Sequence, residues 1–292
     1  MIKKTSVSLL VVCVLVFFSA TAFAGAHGKK KPMKKGILLA AFGSSFPETQ
    51  GVFEHIEEKV KAAFPNVPVR WGYTSHIIRH KLAKQGEHLD SVEMALARMM
   101  DEGFTHVAVQ SLHTIAGEEF HGTRRNASAF GDMAGGFKKI LTGYPLLGTS
   151  DDLKRVSDCV IKIIPKQRKK SEAVIFMGHG THHPANAFYE ALVYRLQKKD
   201  QNIYVGTVEP GIDEIRDALL KKGIKKAYLI PFMSVAGDHA RNDMAGDEDD
   251  SWKSILAKVG VTGVPVMKGT AEFDCFVEIW VDHLKNVMSH FK

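Results

Sequence analysis

The stretch AVIFMGHGTHH, Ala173 to His183, is a run of apolar residues that stops abruptly at Gly-His-Gly-Thr. A continuous apolar run bounded by glycines reads as a strand buried on both faces of a parallel sheet. Such a strand delivers the side chain that follows it, the His179 imidazole, to the carboxyl edge of the sheet, where open α/β folds bind ligands.

Working outward, short apolar runs alternate with helical periods on both sides of this strand. Toward the C-terminus come a helix over 184–199, a strand NIYVGTV (202–208), a helix over 211–222 and a strand KKAYLIPF (225–232). A helix over 251–259, a strand VTGVPVM (261–267) and a long amphipathic helix from Ala271 complete that half. Toward the N-terminus the order is the same. GILLAAF (36–42), VPVRWGY (67–73), THVAVQSL (105–112) and KKILTGYPL (138–146) read as strands. Helices are predicted over 48–64, over 76–102 with a break near Gly86, and over 151–164. Alternation of this kind implies βαβ units and parallel sheets. Pro165 and the KQRKK run mark a linker, which divides a domain over 36–165 from one over 166–292.

The two halves also share a register. GFTHVAVQSLHTIAGEEF (103–120) laid over GIKKAYLIPFMSVAGDHA (223–240) matches Gly103 with Gly223 and Ala116-Gly117 with Ala236-Gly237 at an offset of 120. The same offset carries Thr142-Gly143 and Pro145 onto Thr262-Gly263 and Pro265. The expected architecture is therefore α/β: two similar, duplicated Rossmann-like domains with parallel sheets, facing each other across a cleft.

The chain has 292 residues and a formal net charge of +7, but Lys3, Lys4, Lys29, Lys30, Lys31, Lys34 and Lys35 carry all of it before residue 36. The folded body is formally neutral, which argues against a nucleic-acid-binding face. Residues 1–24 combine lysines, an apolar stretch and Ala22-Phe23-Ala24, the secretory pattern with an A-x-A cleavage site, and 25–35 read as a solvated basic tail. The expected location is the periplasm. A membrane anchor is the alternative reading of the same stretch, and past it no apolar run is long enough to span a bilayer. Cys159 and Cys275 lie in apolar helical patterns, where buried thiols are as compatible with the sequence as a disulfide.

Chemistry concentrates at the strand ends. Aligned by the duplication, Phe42 corresponds to His179, His76 to Glu209 and Glu119 to His239, so the second half alone offers His, Glu and His. These are borderline ligands suited to a divalent transition metal. Each also has a structural reading: a turn histidine, a cap histidine, and an acid at a helix N-terminus. AFGSS (41–45) offers a Gly/Ser turn at a strand end without the lysine or spacing of a phosphate loop. His113, Glu118 and Glu119 would face the cleft from the first half. His121, Arg124 and Arg125 read as a polar loop, with surface placement or contact to substrate carboxylates both open. His182 and His183 read as exposed.

At GILLAAFGSS, VQSLHTIAGEEF, MGHGTHH and IPFMSVAGDHARNDMAGD the chain resembles the class II tetrapyrrole chelatases, and among them the anaerobic sirohydrochlorin cobaltochelatases, from about Lys34 to Lys292. The resemblance implies insertion of a divalent ion, Co²⁺ or Fe²⁺, into a metal-free tetrapyrrole without ATP or another nucleotide cofactor. It places the two active-site histidines on His179 and His239 and the metal-contacting acid on Glu209. His179 is then the first choice of base for the pyrrole N–H protons, with Glu118 or Glu119 relaying the second. Phe42, Ser44, Ser45, His113 and Met233 would line the substrate. A periplasmic metal or haem carrier would use the same ligands without turnover. The oligomeric state stays open.

Overall fold

The computed structural model describes residues 32–292, and the expected export signal lies outside the described residues, as does most of the basic tail. The chain from Met33 to Lys292 forms one compact unit. Its first sheet contains β1 (Lys35–Ala41), β2 (Val69–Tyr73), β3 (His106–Ser111) and β4 (Lys139–Gly143), ordered β2-β1-β3-β4. The second contains β5 (Ala173–Gly178), β6 (Ile203–Thr207), β7 (Lys226–Pro231) and β8 (Thr262–Pro265), ordered β6-β5-β7-β8. Every pairing is parallel. Central strands β3 and β5 are buried from end to end, β5 through an unbroken apolar sequence and β3 with Gln110 and Ser111 buried at its carboxyl end.

The first half carries helices α1 (Gln50–Ala63), α2 (His76–Ala83), α3 (Val92–Asp101), α4 (Glu118–Asp132) and α5 (Ser150–Ile163). The second carries α6 (Ala187–Gln197), α7 (Asp213–Lys221), α8 (Trp252–Lys258) and α9 (Asp274–Ser289). The helix predicted over 76–102 is two, α2 and α3, separated at a turn where Gly86 has φ +89°. His121, Arg124 and Arg125, expected in a polar loop, lie on the 15-residue α4. Only Phe120, Thr123 and Ala127 of it are buried, so no apolar stripe announced it.

The sheets are related as the duplication implies, with two corrections. Ala40 pairs with Ser111 and Gly72, and Met177 pairs with Pro231 and Gly206, so the offset of 120 holds between β3 and β7. The same pairs set Gly72 against Gly206, which makes Ser75, not His76, the counterpart of Glu209. At the last strands Val107 pairs with Ile140 while Ala227 pairs with Gly263, an offset of 123. The Thr-Gly and Pro matches at 120 are therefore coincidental. The second half's connection is longer because a π-helical turn over Ala240–Met244 and α8 replace the single helix α4.

Chain order and packing part company at two helices. α5 follows the first sheet but packs against α6, and α9 follows the second sheet but lies on β3 and β4 of the first. Lys35 Nζ donates to Phe291 O at 2.9 Å and Lys139 Nζ to His290 O at 2.8 Å, while the His283 ring bridges Tyr144 O and Asp152 Oδ1. One hydrophobic core, containing Leu39, Val156, Phe176, Leu192 and Trp280, consequently runs through both halves. A boundary at 165/166 separates the sheets but not this core. Cys159 on α5 and Cys275 on α9 are unbonded thiols within hydrogen-bonding contact.

Candidate active site

Each half turns the carboxyl ends of its strands toward the other. Thr114 Oγ1 donates to Phe232 O at 3.4 Å, and the Phe42 and His179 ring centroids are 6.0 Å apart. The His121 and His183 centroids stand 4.9 Å apart, and a Cβ on Gly117 would lie 3.6 Å from Thr181 Cγ2. Arg241 covers the Phe46 ring at 4.5 Å and reaches Glu48 at 3.5 Å. The cleft is thus a seam between like edges, and the strand ends line it.

His179 and His239 meet there, with ring centroids 4.8 Å apart and planes at 83°. His179 follows β5 directly, and Gly180, at φ +83°, turns the chain away beneath it. A Cβ on Gly180 would sit 2.9 Å from Thr207 Cβ, so both space and φ favour glycine there. The Tyr189 hydroxyl, buried in α6, lies in hydrogen-bonding reach of the backbone at His179 and Gly180, and burial pushes its pKa up.

Hydrogen bonds fix both tautomers. His179 Nδ1 lies 2.9 Å from Gly180 O and His239 Nδ1 lies 2.8 Å from Asp243 Oδ2. A carbonyl and a carboxylate only accept, so each Nδ1 carries its proton and each Nε2 presents a lone pair. His239 and Asp243 are four residues apart on adjoining turns, the second because the π-helical turn begins at Ala240. A carboxylate behind a histidine is the arrangement that orients metal-binding imidazoles.

The remaining expected residues fall into place unevenly. Glu209 is exposed, its carbonyl accepts from Thr207 Oγ1, and its peptide bond to Pro210 is cis. Among the described residues no three His, Cys, Asp or Glu side chains are gathered closely enough to hold a metal, so the structure brings together two of the three expected ligands. Phe42 is 37% exposed, an unusual setting for a large ring, and stands over His179. Ser44 Oγ accepts from Phe46 N at 3.3 Å and lies 3.9 Å from where a Cβ on Gly237 would be, so it borders the seam beside half-buried Ser45. Met233 is half-buried, its carbonyl taken by Thr270.

His113, the first-half counterpart of Met233, is held from both sides: Nδ1 is 2.9 Å from Ser111 Oγ and Nε2 3.3 Å from Thr74 Oγ1. Burial lowers its pKa to about 4, with Glu119 pulling it back up and His179 adding to the depression. It is therefore a neutral imidazole near neutral pH. Glu118 and Glu119 are the first residues of α4, exposed on the first-half wall. His121, Arg124 and Arg125 belong to the same helix. His183 is not merely exposed: its Nδ1 accepts from Ala185 N at 3.1 Å and caps the turn that leads into α6. Asp243 and Tyr189, which position the two histidines, were not anticipated from sequence. An acid four residues after a candidate ligand was the available signal for Asp243, and nothing marked Tyr189.

Comparison with known proteins gives concordant matches. Residues 35–289 match a family model described as cobalt chelatase (CbiK). A sirohydrochlorin cobaltochelatase, CbiKC, of Nitratidesulfovibrio vulgaris is 44% identical over 258 residues, 88% of this chain and 91% of the relative. The sirohydrochlorin cobaltochelatase of Salmonella typhimurium is 33% identical over 261 residues, 88% of this chain and 97% of the relative. Among solved structures, SirB from Bacillus subtilis with Fe³⁺ aligns with a TM-score of 0.57 at 17% identity, covering 87% of this chain and 96% of that one. CbiX, described as the terminal enzyme of sirohaem biosynthesis in denitrifying bacteria, aligns at 0.53 and 14% identity, covering 86% and 98%. These last two show the fold.

Proposed function

Because this chain belongs to the CbiK cobalt chelatase family, we propose that it inserts Co²⁺ into sirohydrochlorin in the cleft where His179 and His239 meet. The observation that carries the assignment of the site is the pair of imidazoles, ring centroids 4.8 Å apart, whose Nδ1 protons are both committed, leaving an Nε2 lone pair on each neutral ring. Neutral imidazoles bind divalent cobalt and iron alike. Glu209, exposed on the neighbouring strand end, joins them as third ligand by side-chain rotation once the ion arrives.

Metal insertion frees two pyrrole N–H protons, which must leave through groups that are unprotonated at working pH. His179 takes the first on Nε2 once the ion has passed from that nitrogen to the macrocycle. Glu119, whose charge is felt at His113, stands on the first-half wall to take the second, with Glu118 beside it. Phe42 offers a ring face to the macrocycle, and Ser44, Ser45, His113 and Met233 line the bed on which it lies. No nucleotide enters this scheme, since the ion arrives already divalent and the macrocycle supplies four nitrogen ligands.

The test is a spectral assay with sirohydrochlorin and Co²⁺ or Fe²⁺. Multiple turnovers per chain support the chelatase reading, and a single stoichiometric uptake with slow release would replace it with a carrier. His179→Ala and His239→Ala should each fold and lose insertion; His182→Ala should match the unaltered protein. Undiminished insertion by the His239 variant would remove that residue from the site. We further read residues 1–24 as an export signal, on the Lys-apolar-Ala-Phe-Ala pattern. Intact mass of the protein from its native host should show their loss, and a full-length chain in the cytoplasmic fraction would exclude it.

A further inference from the structure

α5 follows the first sheet and α9 the second, yet the two helices pack against each other and run antiparallel. Near the start of α5, Asp152 Oδ1 lies 2.9 Å from His283 Nε2, and Arg155 donates to Asp282 at 2.7 Å. One turn further along α5, and one turn back along α9, Val156 and Ile279 are both fully buried in the core that the two halves share. A turn beyond these stand Cys159 and Cys275, whose thiols are in hydrogen-bonding contact. Residues 152, 156 and 159 on one helix and 283, 279 and 275 on the other recur every three or four positions, so each set lies on a single face. The meeting of the two sulfurs is thus the last rung of a ladder that the helix packing itself sets.

The two sulfurs are not alike. Cys159 is 5% exposed, and its hydrogen bond with Cys275, followed by burial, pushes its thiol up. Cys275 is half-buried in the first turn of α9, where a helix N-terminus favours a thiolate. The hydrogen bond from Cys159 and the nearby Lys162 draw its thiol down, against burial and the Glu278 charge. One sulfur can therefore be reached and is the better nucleophile, while the other is enclosed and held beside it. Among the described residues no group of three His, Cys, Asp or Glu able to hold a metal includes them. Thiol–disulfide exchange is the chemistry this pair is arranged for.

We propose that Cys159 and Cys275 are a disulfide-forming pair that staples α9 to α5 once the chain has folded. The oxidant is an external disulfide. The Cys275 thiolate attacks one of its sulfurs, and the other half leaves as a thiolate and takes up a proton. Cys159 then gives its proton to solvent and displaces the remaining half from Cys275. One S–S bond is formed for one broken, and two electrons and two protons pass from the pair to the oxidant. The ring closed in this way contains all four strands of the second sheet. Long rings lose the most freedom in the unfolded chain, so such a bond favours the folded state strongly. It also ties down the helix that covers the first sheet. Formation of the bond in the cell rests on the export reading above, because exported chains meet oxidising conditions; the reactivity of the pair does not.

The test is incubation of the reduced full chain with oxidised glutathione, followed by peptide mapping without reduction, which also tells these sulfurs from Cys13. The expected product joins the Cys159 and Cys275 peptides within one chain and melts roughly 5–15 °C above the reduced form. In Cys159→Ala a glutathione adduct should accumulate on Cys275 with no such rise, and in Cys275→Ala the Cys159 thiol should stay unmodified. Thiols that survive oxidation, a lasting adduct on Cys275 of the unaltered chain, or a linked chain that melts no higher than the reduced one would overturn the proposal, and these readings need no variant to fold. In the native host, alkylation before lysis should recover the chain already linked and lacking residues 1–24. A processed chain with both thiols alkylated would overturn formation in the cell, whereas a full-length cytoplasmic chain would overturn the export reading alone.

Discussion

Gly178→Ala tests how tightly the strand that carries His179 is built. A Cβ at residue 178 would lie 2.6 Å from Tyr189 Cε1 and 2.7 Å from Cζ, where ordinary contact begins near 3.4 Å. Something must therefore move by about 0.8 Å. Tyr189 is 3% exposed and its ring is packed against Phe232, so it has no free rotamer to retreat into. The alternative is a shift of β5, which is paired on both sides and buried throughout. Overpacking of this kind costs about 1–3 kcal/mol. At about 2–4 °C per kcal/mol for a folded unit of this size, the melting point should fall by roughly 2–12 °C. The functional loss should be larger than the stability loss, because the Tyr189 hydroxyl that braces the His179–Gly180 backbone moves with its ring. A tenfold or greater fall in kcat at 25 °C, where the variant is still folded, is the expected result, read by thermal melting and the insertion assay on the same preparation. A variant that melts normally and inserts cobalt at full rate would show that the strand yields freely and that the close approach of Tyr189 positions nothing.

Three further outcomes follow from named contacts. Asp243→Asn replaces the carboxylate behind His239 with a group that can offer either a donor or an acceptor; Co²⁺ affinity by calorimetry should fall about 10–100-fold, and an unchanged Kd would show that Asp243 does not set the tautomer. Asp200 and Arg168 form a buried pair, 8% and 4% exposed; burial alone would raise the Asp200 pKa, but Arg168, the Asn202 amide and Lys170 hold it at about 2. Depressed from 3.8, it contributes on the order of 2 kcal/mol above the unfolded pKa, lost as pH falls toward 2; urea midpoints from pH 7 to pH 2.5 should fall more steeply for the unaltered protein than for Asp200→Asn, and parallel curves would refute the assignment. Finally, the hydrogen bond to Cys275 and burial push the Cys159 thiol up, while the same hydrogen bond and Lys162 draw Cys275 down against its burial; iodoacetamide at pH 8 should mark Cys275 first by peptide mapping, and prior modification of Cys159 would contradict this.

What was legible in the sequence, and what was not, divides by physical cause. The central strands could be read because a strand covered on both faces is largely apolar along its length, the half-exposed edge strands because short apolar runs recur between the helical periods, and the ends of β5 and β7 then located His179 and His239. α4 escaped because its buried face is Phe120, Thr123 and Ala127, two of them small, so helical periodicity had almost nothing to register. The 120-residue offset failed at β4 and β8 because Thr, Gly and Pro are common turn residues that match by accident, whereas strand pairing counts every residue of an intervening connection. Glu209 could be placed at a strand end from sequence, but whether an exposed carboxylate turns toward its neighbours is a rotamer question that spacing does not answer. Long-range packing left the least trace: nothing in the apolar stripe of α9 says which sheet it covers.

That last helix sets an order of events during synthesis. β3 and β4 leave the ribosome with their sequence neighbours α3, α4 and α5, yet the helix that lies on them ends at Ser289, about 150 residues later. The first sheet consequently waits, one apolar face uncovered, until the second half has been made. A nascent chain stopped at the linker is an unfinished object rather than a finished domain, and the halves close as a single event when Phe276, Trp280 and Leu284 arrive.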